Sequence, residues 1–414
     1  MIGEIRPATC TRFDILSKLK RAIGLMSGTS MDGIDVALVE TDGKSKVVRG
    51  PAFTYPYSEA FRGRLAQAAA DAARIRHRGD RPGVLHLAEQ YLTDLHAEAV
   101  NHFLQDISAK PETIDVIGFH GHTVLHRPLN SGGPGKPRIV APAPVGRMAP
   151  RVMTVQIGDG KRLARMTGID VVYDMRAADV AGGGQGAPLV PVYHAALAAG
   201  IAERPLAILN LGGVANVTWI GGGTAAGDVA DGHDLLAFDT GPGNALIDDF
   251  MLARTGKARD ENGAAAAVGK VHEEIVAEYL RHTFFHAMPP KSLDRNAFSL
   301  DPVAHLSTED GAATLAAFTA GAVSAARGHF RAEPKLWIAC GGGRKNRTLM
   351  QMLAGKIENA LGPAEAAGLD GDAIEAEAWG YLAVRSLLGL PLTFPGATGV
   401  SVATPGGVLA KAKD

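Results

Sequence analysis

The chain has 414 residues, 46% hydrophobic and 21% charged, which is enough for about two or three domains and is the balance of a folded globular protein, neither disordered nor membrane-embedded. Its 42 Lys and Arg against 43 Asp and Glu leave a formal charge of -1, so no overall field draws it to nucleic acid or an acidic membrane, and any anion site has to be local. The two cysteines, Cys10 and Cys340, lack metal-ligand spacing, which excludes a structural zinc or a disulfide framework and fits a reducing cytoplasm.

The N-terminus mixes acids and bases without an apolar stretch and reads as a short extension, residues 1–18, rather than a signal peptide. Ala22 to Glu40 reads as a β-hairpin turned by a Gly/Ser/Thr loop. Helical patterns follow over Ser58 to His77 and Val84 to Gln105, then a buried strand from Asp115 to His120. Leu129 to Met148 reads as an irregular Pro/Gly-rich excursion, and Val152 to Ile157 and Ile169 to Val172 as short strands. After Gly182-Gly183-Gly184-Gln185-Gly186 a helix is expected from Pro188 to Ala202. The hairpin theme then restarts: strand Leu206 to Leu211, turn Gly212-Gly213, return Ala215 to Ile220. Strand Leu235 to Asp239, loop Thr240 to Asn244 and helix Ala245 to Ala253 come next, and later strand Leu336 to Cys340 runs into Gly341-Gly342-Gly343 and a helix from about Asn346. Two halves that each open with a glycine-turned hairpin suggest an internal duplication.

The chemistry lies in the loops. The P-loop spacing is absent, and Gly221 to Ala226 reads as a hairpin tip, not a dinucleotide site, because no helix follows it. The turn Ser27-Gly28-Thr29-Ser30-Met31-Asp32-Gly33 gathers backbone N–H groups and hydroxyls into a nest for phosphates, with Asp32 placed to hold Mg²⁺ through water. A tight hairpin with Asp32 bonded to its own backbone is the plainer reading. Asp239, Gly241, Gly243 and Asn244 repeat the idea: an acid at a strand end, a second candidate for Mg²⁺, followed by small residues opening a helix. The plainer reading there is a helix cap. With Gly212-Gly213 and Gly341 to Gly343, these loops describe a nucleotide cleft between two related domains.

The strings GLMSGTSMDGID (24–35), HGHT (120–123), QIGD (156–159), DVAGGGQGAPLVP (179–191), LNLGGVAN (209–216), FDTGPGN (238–244), PPKS (289–292) and CGGGRKN (340–346) occur in one order. In these the chain resembles the anhydro-N-acetylmuramic acid kinases of the hexokinase, Hsp70 and actin ATPase superfamily, from about Ala22 to the C-terminus. The resemblance implies an α/β fold of two actin/hexokinase-like (ribonuclease H-like) domains with mixed sheets flanked by helices. Domain I would be residues 19–204 with a C-terminal return over 395–414, and domain II residues 205–394. It implies a cytoplasmic enzyme of peptidoglycan recycling that uses ATP and Mg²⁺ to open 1,6-anhydro-N-acetylmuramate and phosphorylate O6, with a homodimer as the family's assembly. Asp179 becomes the catalytic base by this resemblance, and Asp174 is its local competitor. His120, Gln185 and Glu375 become sugar contacts, with Glu377 the alternative to Glu375, and Asn346 joins the nucleotide contacts. His122 stands where relatives usually carry Gln, and PPKS continues as Leu293-Asp294-Arg295-Asn296, a departure from the usual T-G-R-E or T-G-R-D. Other readings are a kinase for another hexose or amino sugar, or a non-catalytic ATP- or sugar-binding sensor. The sensor reading is disfavoured because neither a helix-turn-helix nor a peptide-binding domain is expected in the chain.

Overall fold

In the computed structural model, which describes residues 19–28, 31–127, 153–222 and 234–413, the first hairpin is β1 (Lys20–Ser27) and β2 (Gly33–Thr41). They pair antiparallel from Lys20 opposite Thr41 to Met26 opposite Asp35, and β3 (Val47–Pro56) continues the meander. Helices α1 (Glu59–Asp71), capped by the Ser58 side chain, and α2 (Leu85–Asp106) cover one face of this sheet. There Ile23 and Leu25 pack with Phe61, Leu65 and Phe103. β4 (Val116–Arg127) runs parallel to β1, β5 (Met153–Ile157) antiparallel to β4, and, after α3 (Gly160–Thr167), β6 (Val171–Tyr173) parallel to β4. The short helices α4 (Ala177–Ala181) and α5 (Pro191–Leu197) follow.

The second sheet repeats the first. β7 (Leu206–Leu211), β8 (Val214–Ile220) and β9 (Leu235–Pro242) form an antiparallel meander. After α6 (Ala245–Thr255) and α7 (Thr308–Ala326), β10 (Leu336–Cys340) pairs parallel with β7. Then α8 (Arg347–Ile357) leads to β11 (Ala360–Pro363), parallel to β10. The orders β3-β2-β1-β4-β6 and β9-β8-β7-β10-β11 are the same, so the duplication read from the two glycine turns is a duplication of whole sheets. Mixed sheets flanked by helices are the fold class expected. Period-two burial on both faces explains the continuous apolar runs: Leu206 and Ile208 face one core, Ala207, Leu209 and Leu211 another.

The chain comes back to the first sheet earlier than residue 395. Helix α9 (Ile374–Leu387) lies directly on β1 and β4: a Cβ on Gly24 would stand 1.8 Å from the Ala376 carbonyl oxygen, and one on Gly118 1.9 Å from that of Trp379. β12 (Val408–Ala410) then pairs with β6. Trp379 and Tyr381 of α9, Tyr193 of α5 and the inner faces of both sheets share one apolar core.

Two other boundaries differ. β9 runs through Thr240 and Gly241 to Pro242, because Val214 and Ala215 offer it a pairing edge. The helix expected from Pro188 starts at Pro191, whose ring suits a first turn, and ends at Leu197. The extension 1–18, Thr29, Ser30, the excursion within 129–148 and most of the tip 221–226 lie outside the described residues.

Candidate active site

At the carboxyl ends of β1, β7 and β10, above the shared core, lies a cavity of about 400 Å³. Ligand sites of open α/β sheets sit at such strand ends. Met26 and Asp35 reach it from the first hairpin; Asn210, Gly212, Asp239, Gly341 and Gly342 from the second sheet; Glu375 from α9; Arg176 from just before α4. The ends of the first hairpin and Asp239 therefore face one space.

Among its described residues, the first hairpin presents that space with different ones from those its composition favoured. Ser27 is buried; the Tyr57 hydroxyl donates to its Oγ at 2.8 Å, and its Oγ lies 3.1 Å from His122 Nδ1. Strand alternation turns Met26, not Ser27, toward the cavity. Asp32 is exposed and does not line it, whereas Asp35, with the Thr54 hydroxyl donating to it at 2.6 Å, does. Gly28 closes the turn, accepting from Met31 N–H, and Gly33 pairs with Pro56.

The glycine loops of the second sheet pack on one another. Gly243 N–H donates to Gly213 O at 2.9 Å and Asn244 N–H to Gly212 O at 2.8 Å, while a Cβ on Gly243 would fall 2.1 Å from Gly212 O. Asn244 Nδ2 donates to Leu211 O at 3.1 Å, and Gly343 lies against Leu211 and Asn244. Gly212, Gly341 and Gly342 are the members of this set that line the cavity. Gly241 is a strand residue packed against Ala322, with no place in the lining. Asn346 caps α8, its Oδ1 accepting from Leu349 N–H at 3.0 Å. Asn346→Ala is expected to lower stability by about 1 kcal/mol in urea denaturation, with Asn346→Asp restoring it.

Asp179 is 1% exposed and lies outside the cavity lining, beneath the loop Gly182 to Gly186. Gly186 N–H donates to its Oδ2 and the Thr398 hydroxyl to its Oδ1, both at 2.6 Å. Each oxygen keeps a further lone pair. Asp174 pairs with Arg78 and adopts a positive φ of 54°. Arg176 donates to Gly186 O at 2.7 Å and lies 3.2 Å from His120 Nε2, with the His120 ring tilted at 37° against that of Trp379. Gln185 donates from Nε2 to Pro290 O at 3.1 Å and lines no cavity described here. Glu375 lines the large cavity and accepts from Asn210 Nδ2 at 3.1 Å. Glu377 is fully buried in the core, accepting from Arg49 Nε and the Tyr193 hydroxyl, each at 2.8 Å.

Burial dominates the electrostatics. It raises the carboxyls of Asp35 and Glu375, in each case assisted by a neighbouring acid, and pushes Asp239 up to about 7 against the Leu293 N–H bond and the Lys291 charge. It lowers Lys291 to about 8 and Arg176 to about 10. Such a set of shifted groups in one cleft marks it as the candidate functional site.

A family model described as anhydro-N-acetylmuramic acid kinase matches residues 20–412. The chain belongs to the anhydro-N-acetylmuramic acid kinase family. It is 50% identical over 402 residues to the anhydro-N-acetylmuramic acid kinase of Methylobacterium nodulans, covering 94% of this chain and 100% of that one. To that of Azorhizobium caulinodans it is 51% identical over 395 residues, covering 94% and 98%. Among solved structures it is similar to a xylulose kinase from Lactobacillus acidophilus, with 11% identity, a TM-score of 0.44, and 95% of this chain and 94% of that one covered.

Reading the motifs alone missed several cavity residues of this family member. Lys291 sits in the quoted PPKS string; its Nζ donates to Phe284 O at 3.1 Å and lies over the Phe284 ring. Asn210 sits in LNLGGVAN, and Arg176 is three residues before Asp179. Among the described residues no three His, Cys, Asp or Glu side chains converge as a metal cluster, and no helix is long and apolar enough to cross a membrane.

Proposed function

We propose that the protein is an ATP-dependent kinase that opens 1,6-anhydro-N-acetylmuramic acid with water and phosphorylates O6, giving N-acetylmuramate 6-phosphate and ADP. The observation that carries this reading is the match of residues 20–412 to the family of that name, on a chain whose two repeated sheets offer their strand ends to one acid-lined cavity. The phosphates of ATP would lie against Gly212, Gly341 and Gly342. Asp35 and Asp239 are the carboxylates suited to hold Mg²⁺, which is commonly bound by one or two acids plus phosphate oxygens and water. The ion would supply charge neutralisation on the phosphates. Asp179 would take a proton from the water that attacks C1; the C1–O6 bond breaks, and O6 forms its bond to the γ-phosphoryl group as ADP leaves. Glu375 and Arg176 would position the sugar beside that acid.

This reading goes with a place in peptidoglycan recycling, a cytoplasmic location and a homodimer. The test is ADP release with 1,6-anhydro-N-acetylmuramic acid against glucose, N-acetylglucosamine and N-acetylmuramic acid, run in ¹⁸O-labelled water. The expected result is turnover of the anhydro sugar alone with label at C1. Turnover of glucose without the anhydro sugar, or label absent from C1, would sink the reading.

A further inference from the structure

We propose that Arg344 is a positioning residue for the nucleotide: it grips the Asp372 carboxylate and cancels its charge, so that the loop of Gly341 and Gly342 can receive phosphates. The proposal rests on the nucleotide reading above and adds to it a residue that touches neither substrate.

The string CGGGRKN gives its first two glycines to the large cavity, but its arginine does not line it. Arg344 lies in the turn Gly342–Lys345 that follows β10, with its side chain 5% exposed. A guanidinium has five N–H groups, and here all are used. Nη1 donates to Gly341 O at 2.9 Å and to Asp372 Oδ1 at 2.8 Å. Nη2 donates to Asp372 Oδ2 at 3.0 Å and to Glu365 Oε1 at 2.6 Å, and Nε to Glu365 Oε1 at 2.9 Å. One arginine therefore forks onto two carboxylates while also holding the carbonyl of the first cavity glycine. Lys345 Nζ adds a second cation on Asp372 Oδ2 at 2.8 Å, so two acids and two bases leave the cluster neutral. The backbone before α9 closes over it: a Cβ on Gly371 would stand 2.5 Å from Arg344 Nε.

The two acids are not equivalent. Asp372 lines the large cavity together with Gly341, Gly342 and Gly371, and Glu365 does not. The charge of Asp372 is felt across that space, where it helps to raise the carboxyl of Asp35. Arg344 holds Asp372 down to about 2, and the Asp372 side chain is 57% exposed, so without the arginine it would stay ionised in water. A bare carboxylate in the lining would repel a polyphosphate, whereas a bidentate guanidinium both cancels its charge and fixes its direction. A clamp that only held the loop in shape would behave differently, because taking away the acid would not repair the loss of the arginine.

The experiment measures the affinities of Mg-ADP and of adenosine by calorimetry at low salt. It compares the wild type, Arg344→Met, Asp372→Asn and the double variant, with a thermal melt on each. Arg344→Met is expected to bind Mg-ADP ~10-fold more weakly while adenosine stays within a few-fold of its wild-type affinity. Adding Asp372→Asn should recover most of that loss, and high salt should shrink it. Arg344→Gln, which keeps an N–H donor without the charge, carries the same comparison where the Met variant does not fold. Unchanged Mg-ADP affinity in the arginine variant overturns the proposal, as does a loss that Asp372→Asn fails to repair or that adenosine shares in full. A wild type that binds neither ligand removes the nucleotide reading and this proposal with it. A wild type that binds both, with variants that miss these expectations, removes this proposal alone.

Discussion

Asp179→Asn is expected to lower turnover by ~10²- to 10⁴-fold while leaving the melting transition and nucleotide binding in place. The fold should survive because the amide can keep both contacts: its oxygen accepts from Gly186 N–H, and its nitrogen donates to the Thr398 hydroxyl oxygen. What it loses is the capacity to take a proton. The parallel variant Asp174→Asn breaks an ion pair with Arg78, which is partly exposed, and is expected to cost far less. Steady-state kinetics on both variants separates them. Near wild-type turnover in Asp179→Asn, or a larger loss in Asp174→Asn, removes Asp179 from the role of base.

Asp239→Asn is expected to reduce kcat/KM for Mg-nucleotide by about 10²-fold or more, since on the proposed function this carboxylate holds the cation. On that proposal, protonation would compete with the cation in the wild type. With its carboxyl pushed up to about 7 by burial, kcat/KM should fall on an acidic limb near that value. The stability of the ligand-free protein should move the other way. The folded state holds this proton more tightly than the unfolded chain, whose carboxyl has the ordinary value of 3.8. The contribution is therefore complete below about 4 and is lost as pH rises through 7. Lys291, lowered to about 8 by burial, contributes in the opposite sense, its share being lost as pH falls through that value; the Asp239 charge holds it up, so the Asn variant lowers Lys291 further while removing the share of the acid. The acidic limb should vanish in Asp239→Asn and the melting temperature should lose part of its pH slope. Persistence of both features would assign them to another group.

Much of the fold was legible because its strands are fully buried. Leu206 to Leu211 and Leu336 to Cys340 are apolar on both faces and closed by glycine turns, and both appear as read. The site was harder, for reasons of phase. Ser27 and Met26 are adjacent, and a strand sends neighbours to opposite faces; composition favoured the hydroxyl, while pairing put the methionine in the cavity. Glu375 and Glu377 are about 200° apart around a helix, so one meets the cavity and the other the core, and no short motif says which. Asn346 looked like a ligand contact and is a cap because α8 begins one residue later. The partners of Arg176 and Gln156 come from separate strands and loops, a pairing that spacing along the chain does not encode.

The second sheet is an insertion within the first unit, because the chain leaves after α5 and returns at α9, and both β1 and β12 belong to the first sheet. Two backbone crossings thus join the halves, one near residues 198–205 and one near 364–373, the latter tied back by Arg49 to Gly368 O at 2.9 Å. The two halves are also held together by the apolar core that their inner faces share. A protease that severed one crossing would leave the halves joined through the other and through that core.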